Sequence, residues 1–100
     1  MIKAAFIYVA PGQDPEKQKA VIPSEELTLY VVGCSTYAQA EKEAKRLVDD
    51  GIGAIELCAG FGNEGIARIR KAVGQEIPVG AVKFDYHPAF GFKSGDELFQ

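Results

Sequence analysis

Residues 55–65 read Ile55-Glu56-Leu57-Cys58-Ala59-Gly60-Phe61-Gly62-Asn63-Glu64-Gly65, a strand-like apolar run that enters a glycine-rich turn and then a helical pattern. Side chains alternate along a strand, so Glu56 and Cys58 share one face, opposite Ile55 and Leu57. Asn63 is placed to cap a helix over Gly65 to Val73, with Ile66, Ile69 and Val73 inward and Gly74 at its end. A strand feeding a helix is the unit from which α/β proteins are assembled.

The same alternation extends in both directions. Lys3 to Ala10 is a short, almost continuously apolar run bounded by Pro11-Gly12, and Leu27 to Cys34 is β-branched and aromatic; both read as strands. Between them, Asp14-Pro15-Glu16 offers a helix cap, a proline at the first helical position and an early acid, which predicts one or two helical turns over Pro15 to Ala20. Thr36 and Gln39 form a capping box that opens a helix with the stripe Tyr37, Ala40, Ala44, Leu47 and Val48, closed by Gly51; Glu41 and Lys45 stand four apart on it. Ala54 to Ala59 is the third strand and Pro78 to Asp85 the fourth; Arg68, Arg70 and Lys71 read as the solvated face of the helix between them. Residues 86–100 hold three phenylalanine side chains from Phe90 on, without a clear period, and read as an aromatic tail lying on something apolar. The expected fold is α/β: a four-stranded, mostly parallel sheet with βα crossovers and two main helices, either an open doubly wound sheet or a half-barrel, in one domain over 1–100.

At 100 residues the chain buries only about 60 to 65% of the surface its unfolded form exposes. Its 47% apolar and 25% charged residues fit a globular domain. A net charge of -3 supplies no basic footprint for nucleic acid. There is no apolar run of the roughly 18 residues that a membrane span needs and no signal-peptide pattern, so a cytoplasmic location is expected. Cys34 and Cys58 lack CxxC spacing, and no metal site is predicted. Four strands that read as buried on both faces, with two helices to cover them, leave sheet surface for another subunit, which predicts a homo-oligomer.

Polar residues inside apolar strands are the candidates for chemistry. Lys83 and Asp85 share a face of the fourth strand; in a suitable register Glu56 and Lys83 pair across the sheet, either as a structural ion pair or as the lining of a pocket at its carboxyl edge. Gly60, Gly62 and Gly65 match G-x-G-x-x-G, and Asp85 lies twenty residues past Gly65, where a dinucleotide fingerprint places its ribose-binding acid. Against an NAD-type cofactor stand the absence of a second mononucleotide half, the carboxylate of Glu64 among the amides meant for pyrophosphate, and the geometric need for glycine at any tight strand-to-helix turn. No cofactor is therefore predicted. A small polar or anionic ligand on Gly60, Phe61, Gly62, Asn63 and Gly65, flanked by Lys83 and Asp85, is the leading expectation. His87, the sole histidine, follows the fourth strand at the same edge as Cys58, so a Cys58–His87 pair oriented by Glu56 or Asp85 is a catalytic candidate, although Cys34 has an equal claim to that edge.

The segments AFIYVAPGQDPEKQKAVI (5–22), IELCAGFGNEGIARI (55–69) and VGAVKFDYHPAFGFKSGDELF (79–99) resemble the small prokaryotic proteins of domain of unknown function family 6506, the ELCAGFGNEG and KSGDELF blocks being the specific parts. The resemblance implies a free-standing, single-domain protein of about this length and carries no reaction, cofactor or catalytic residue. Three functions follow from the residues. One is ligand binding at the glycine turn, which a turn plugged by side chains would argue against. The second is an enzyme using Cys58, His87 and a carboxylate. The third is an assembly or partner-binding protein whose interface is the strand face and the tail.

Overall fold

The computed structural model describes residues 2–100. It contains strands β1 (Ile2–Val9), β2 (Lys19–Ile22), β3 (Leu27–Cys34), β4 (Ala54–Leu57) and β5 (Val79–Ala81), and helices α1 (Tyr37–Asp49), α2 (Asn63–Val73) and α3 (Gly95–Leu98), with a 3-10 turn at Pro88–Phe90. The strands form one sheet in the order β2-β3-β1-β4-β5. β3, β1, β4 and β5 run parallel, and β2 is antiparallel to β3. The α/β class stands, and the sheet is mixed with five strands where four were expected.

Each helix forms where its pattern places it. The Thr36 hydroxyl accepts from the Gln39 amide at 3.1 Å, while Gln39 Oε1 accepts from the Ser35 amide at 2.8 Å, so one first-turn amide and the amide just ahead of the cap find partners that the helix does not supply. Tyr37, Ala40, Ala44 and Leu47 are the buried residues of α1. They meet Ala5, Ile7, Val9, Val32, Cys34, Ile55 and Leu57 from the sheet and Ile69 from α2 in a single core.

The connections decide which face is covered. From β3 the chain steps over β1 through α1 to β4, and from β4 it steps on through α2 to β5, in the same direction across the sheet. Right-handed crossovers that step the same way put their helices on the same face. The link from β1 to β3 steps the other way, and a helix there would land on the opposite face. It is made instead by a loop and the edge strand β2. Burial along β1 records the outcome: Ala5, Ile7 and Val9 are buried beneath the helices, while Ala4, Phe6 and Tyr8 on the other face are only half-buried.

Three expectations change. Residues expected as helical turns form a short turn closed by the Lys17 and Gln18 amides on Asp14 O, and Lys19–Ile22 then pairs with β3. All four residues of β2 are exposed, which is why no apolar period marks it. The strand expected over Pro78 to Asp85 is only Val79–Ala81, because its sole neighbour β4 ends at Leu57. The tail is not irregular throughout: Ser94 and Glu97 form a reciprocal capping box on α3.

Arg68 is not merely solvated. Its Nε and Nη2 donate to Glu41 at 3.1 and 2.8 Å, clamping α2 to α1, and its guanidinium lies 5.6 Å from the centre of the Tyr37 ring. Glu41 thus finds its ion-pair partner on the neighbouring helix instead of at Lys45. The hydrogen bonds from Arg68 hold the Glu41 carboxyl below the usual carboxylate range. Since that value is lower folded than unfolded, the stability it contributes is complete above the unfolded value of about 4.3 and is lost as pH falls through the folded one. Thermal unfolding should therefore show wild type melting above Glu41→Gln at neutral pH, with the gap narrowing as pH falls below the unfolded value of about 4.3; a gap independent of pH would contradict this assignment.

Candidate functional site

The glycine turn lies at the carboxyl edge of the sheet, where β4 ends and α2 begins. The Phe61 amide donates to Cys58 O at 3.1 Å, closing the turn, and Gly62 caps α2 without a side chain of its own. The cap comes from far along the chain. Asp96, on α3, accepts from the Glu64 amide at 3.0 Å through Oδ2 and from the Gly65 amide at 3.1 Å through Oδ1. The Tyr37 hydroxyl donates to the same Oδ1 at 2.8 Å and accepts from the Gly62 amide at 3.0 Å. The start of α2, where the helix dipole favours negative charge, is therefore filled by a carboxylate of the chain itself.

This arrangement explains the glycine spacing. A Cβ on Gly62 would lie 2.4 Å from Asp96 Cγ, and one on Gly65 would lie 2.5 Å from Tyr37 Cζ. On Gly60 it would lie 2.9 Å from Val9 O, and on Gly95 only 1.8 Å from Gly60 O. The missing side chains admit the Tyr37 ring, the Asp96 carboxylate and the backbone of α3. Tyr37 is fully buried, stacked on Phe61 at 5.5 Å between centroids and tilted against Phe99 at 6.4 Å. Burial, and secondarily the Asp96 carboxylate, push its hydroxyl well above the ordinary tyrosine value, so it stays a donor.

The tail reaches this centre along a line of rings. Phe84 meets His87 at 5.2 Å, His87 meets Phe90 at 4.1 Å, and Phe90 meets Phe99 at 5.3 Å. His87 caps the 3-10 turn: its Nδ1 accepts from the Ala89 amide at 3.1 Å, and its backbone bridges to Lys93. No hydrogen bond joins it to Cys58. The Cys58 sulfur instead accepts from the Val9 amide at 3.4 Å and the Gly60 amide at 3.2 Å, tying the turn to β1. Cys34 is buried in the core, and burial pushes its thiol up to about 12, with the nearby Glu43 charge adding to the effect. Lys83 and Asp85 lie beyond β5 and pair with each other, both exposed. Glu56 stands opposite Gly80 in the sheet, on the face without helices. Phe61 is buried and Asn63 is exposed.

The structure thus brings together the glycines and Phe61, and leaves Cys58, His87 and Glu56 in separate surroundings, Cys58 and His87 each with partners of their own. Among the described residues no group of three or more His, Cys, Asp or Glu is arranged to hold a metal ion. Among the described residues no helix is long and apolar enough to cross a membrane. The residues missed in the sequence are Tyr37 as a polar group, Asp96 and Gly95; the Ser94-x-x-Glu97 capping box was the available signal for the helix that carries the last two.

The sequence profile of a family of unknown function, DUF6506, matches residues 2–97, and the chain belongs to that family. No curated protein and no solved structure matches it.

Removing the Asp96 carboxylate leaves two α2 amides and the buried Tyr37 hydroxyl without an acceptor. Asp96→Ala should cost about 1–2 kcal/mol in chemical denaturation and speed hydrogen exchange at the Glu64 and Gly65 amides, with Asp96→Asn intermediate. Unchanged exchange at those amides would contradict the capping role. Gly95→Ala, whose methyl group meets the Gly60 carbonyl, should loosen α3 and raise exchange at the same amides.

Proposed function

We propose that this member of the family works as a self-assembling protein, with a second copy of the chain covering the helix-free face of the sheet. The observation that carries the reading is the composition of that face. Register and alternation put Ala4, Phe6 and Tyr8 of β1, Leu27, Leu29 and Val31 of β3, Ala20 and Ile22 of β2 and Ala54 of β4 on it, with Glu56 its only charged strand residue. Ile22 is 57% exposed, Leu27 40% and nearby Val82 62%. An apolar surface of this extent on a sheet is otherwise found covered.

The occupant is argued from shape and size. Strands about 4.8 Å apart and three to eight residues long give a face roughly 24 Å by 18 Å. Two such faces bury about 900 Å² together, just short of the roughly 1,000 Å² that a specific interface clears, so the flanking Val82 has to add to the contact. A sheet face is matched well by another sheet, packed about 10 Å away with strands within about 30°. The side chains on β1 and β3 are flanked by Ala20 and Ile22 on one side and by Ala54, Glu56 and Gly80 on the other, an uneven surface of large and small residues that can interdigitate with a copy of itself.

Sedimentation velocity at micromolar concentration should give twice the 10.8 kDa chain mass. Val31→Asp, which places a second carboxylate in the middle of the face without touching the helix-side core, should give the single-chain mass with the fold retained by circular dichroism. A wild-type protein that sediments as one chain would overturn the reading.

A further inference from the structure

Glu56 occupies an unusual position. It sits in an interior row of the open face, paired in register with Phe6 on one side and Gly80 on the other. Its carboxylate has no ion pair or hydrogen bond with any described residue. Lys83, the basic residue expected to meet it, is taken by Asp85. Beside it is a hollow of about 230 Å³ whose walls include Phe6, Glu56, Gly80 and Val82.

Gly80 has no structural reason to be glycine. It lies in an ordinary extended strand, and a Cβ built there meets nothing within 4 Å. The glycines of the α2 turn differ, since each of them makes room for a specific atom of the chain. Glycine inside a strand weakens it and marks a place where something approaches closely. Here what its missing side chain leaves is the hollow next to the carboxylate.

We infer that the hollow between Glu56 and Gly80 binds a small organic cation, an ammonium group on a short apolar body. The carboxylate takes the ammonium group by a charge-assisted hydrogen bond. The Phe6 ring and Val82 take the apolar part, and the volume suits a ligand with a handful of heavy atoms. The inference rests on the assembly proposed above: when a second copy roofs the face, Glu56 loses water, and a bare carboxylate there is costly unless a positive charge arrives with what fills the space. No other side chain among the strand residues of this face supplies one.

The test uses the full chain, labelled with nitrogen-15 and titrated with n-butylammonium, with n-butanol and butyrate as neutral and anionic counterparts of the same size. Butylammonium should shift the amide signals of Phe6, Glu56, Gly80 and Val82 saturably, and the other two should not. Glu56→Gln should weaken binding at least about tenfold, the loss expected for one charge-assisted contact. Gly80→Val, which fills the hollow with a residue that strands favour, should keep or raise the melting temperature and abolish binding. Absence of saturable shifts with butylammonium, or equal shifts with butanol, overturns the site. Sedimentation of the same samples separates the two proposals: an assembled protein that leaves butylammonium unbound overturns the site alone, while a single-chain mass overturns the assembly whatever the titration shows.

Discussion

The constraint on which the structure depends is the direction in which its crossovers step. β3 to β4 and β4 to β5 both advance toward the β5 edge, and the handedness of such connections sends α1 and α2 to one face. The return from β1 to β3 would cover the other face if it carried a helix, and it carries an edge strand instead. A two-layer molecule results, in which half of the sheet surface is built from Phe6, Leu29, Val31 and Ile22 with no layer over it. The core accounts for stability within one chain, and the open face is where the proposed second copy would sit.

The carboxyl edge, where an open α/β sheet usually offers a ligand its site, is closed from within. Asp96 and Tyr37 take the first amides of α2, and the glycines are the clearances this closure needs. A ligand arriving there would have to displace a carboxylate that is held by two amides and a buried hydroxyl. The proposed function therefore lies on the open face, where an acid without a partner among the described residues stands beside a glycine that nothing crowds.

How much of this was legible follows from the range of the interactions. Continuous apolar runs announce β1 and β3, and the helical stripe with its Thr36 cap announces α1, because burial and local hydrogen bonds leave a period in the sequence. β2 is invisible, since four exposed residues are a strand only by pairing with β3. The strand order is equally hidden because it depends on long-range pairing. At the turn, the G-x-G-x-x-G spacing can be read but its cause cannot. The Tyr37–Asp96 contact joins residues 59 apart, and a phosphate and an internal carboxylate ask for the same glycines. Glu56 stood out as a polar residue within an apolar strand. That it faces away from both helices is a consequence of topology, which spacing does not encode.

The covered face is the claim on which the functional account stands, and it is tested most directly by locating the contact between copies. In a sample mixing isotope-labelled and unlabelled chains, isotope-filtered NOE spectra should show intermolecular contacts from the side chains of Phe6, Leu29 and Val31. Intermolecular contacts confined to the helices or to the edge of β2, or none at all, would contradict it.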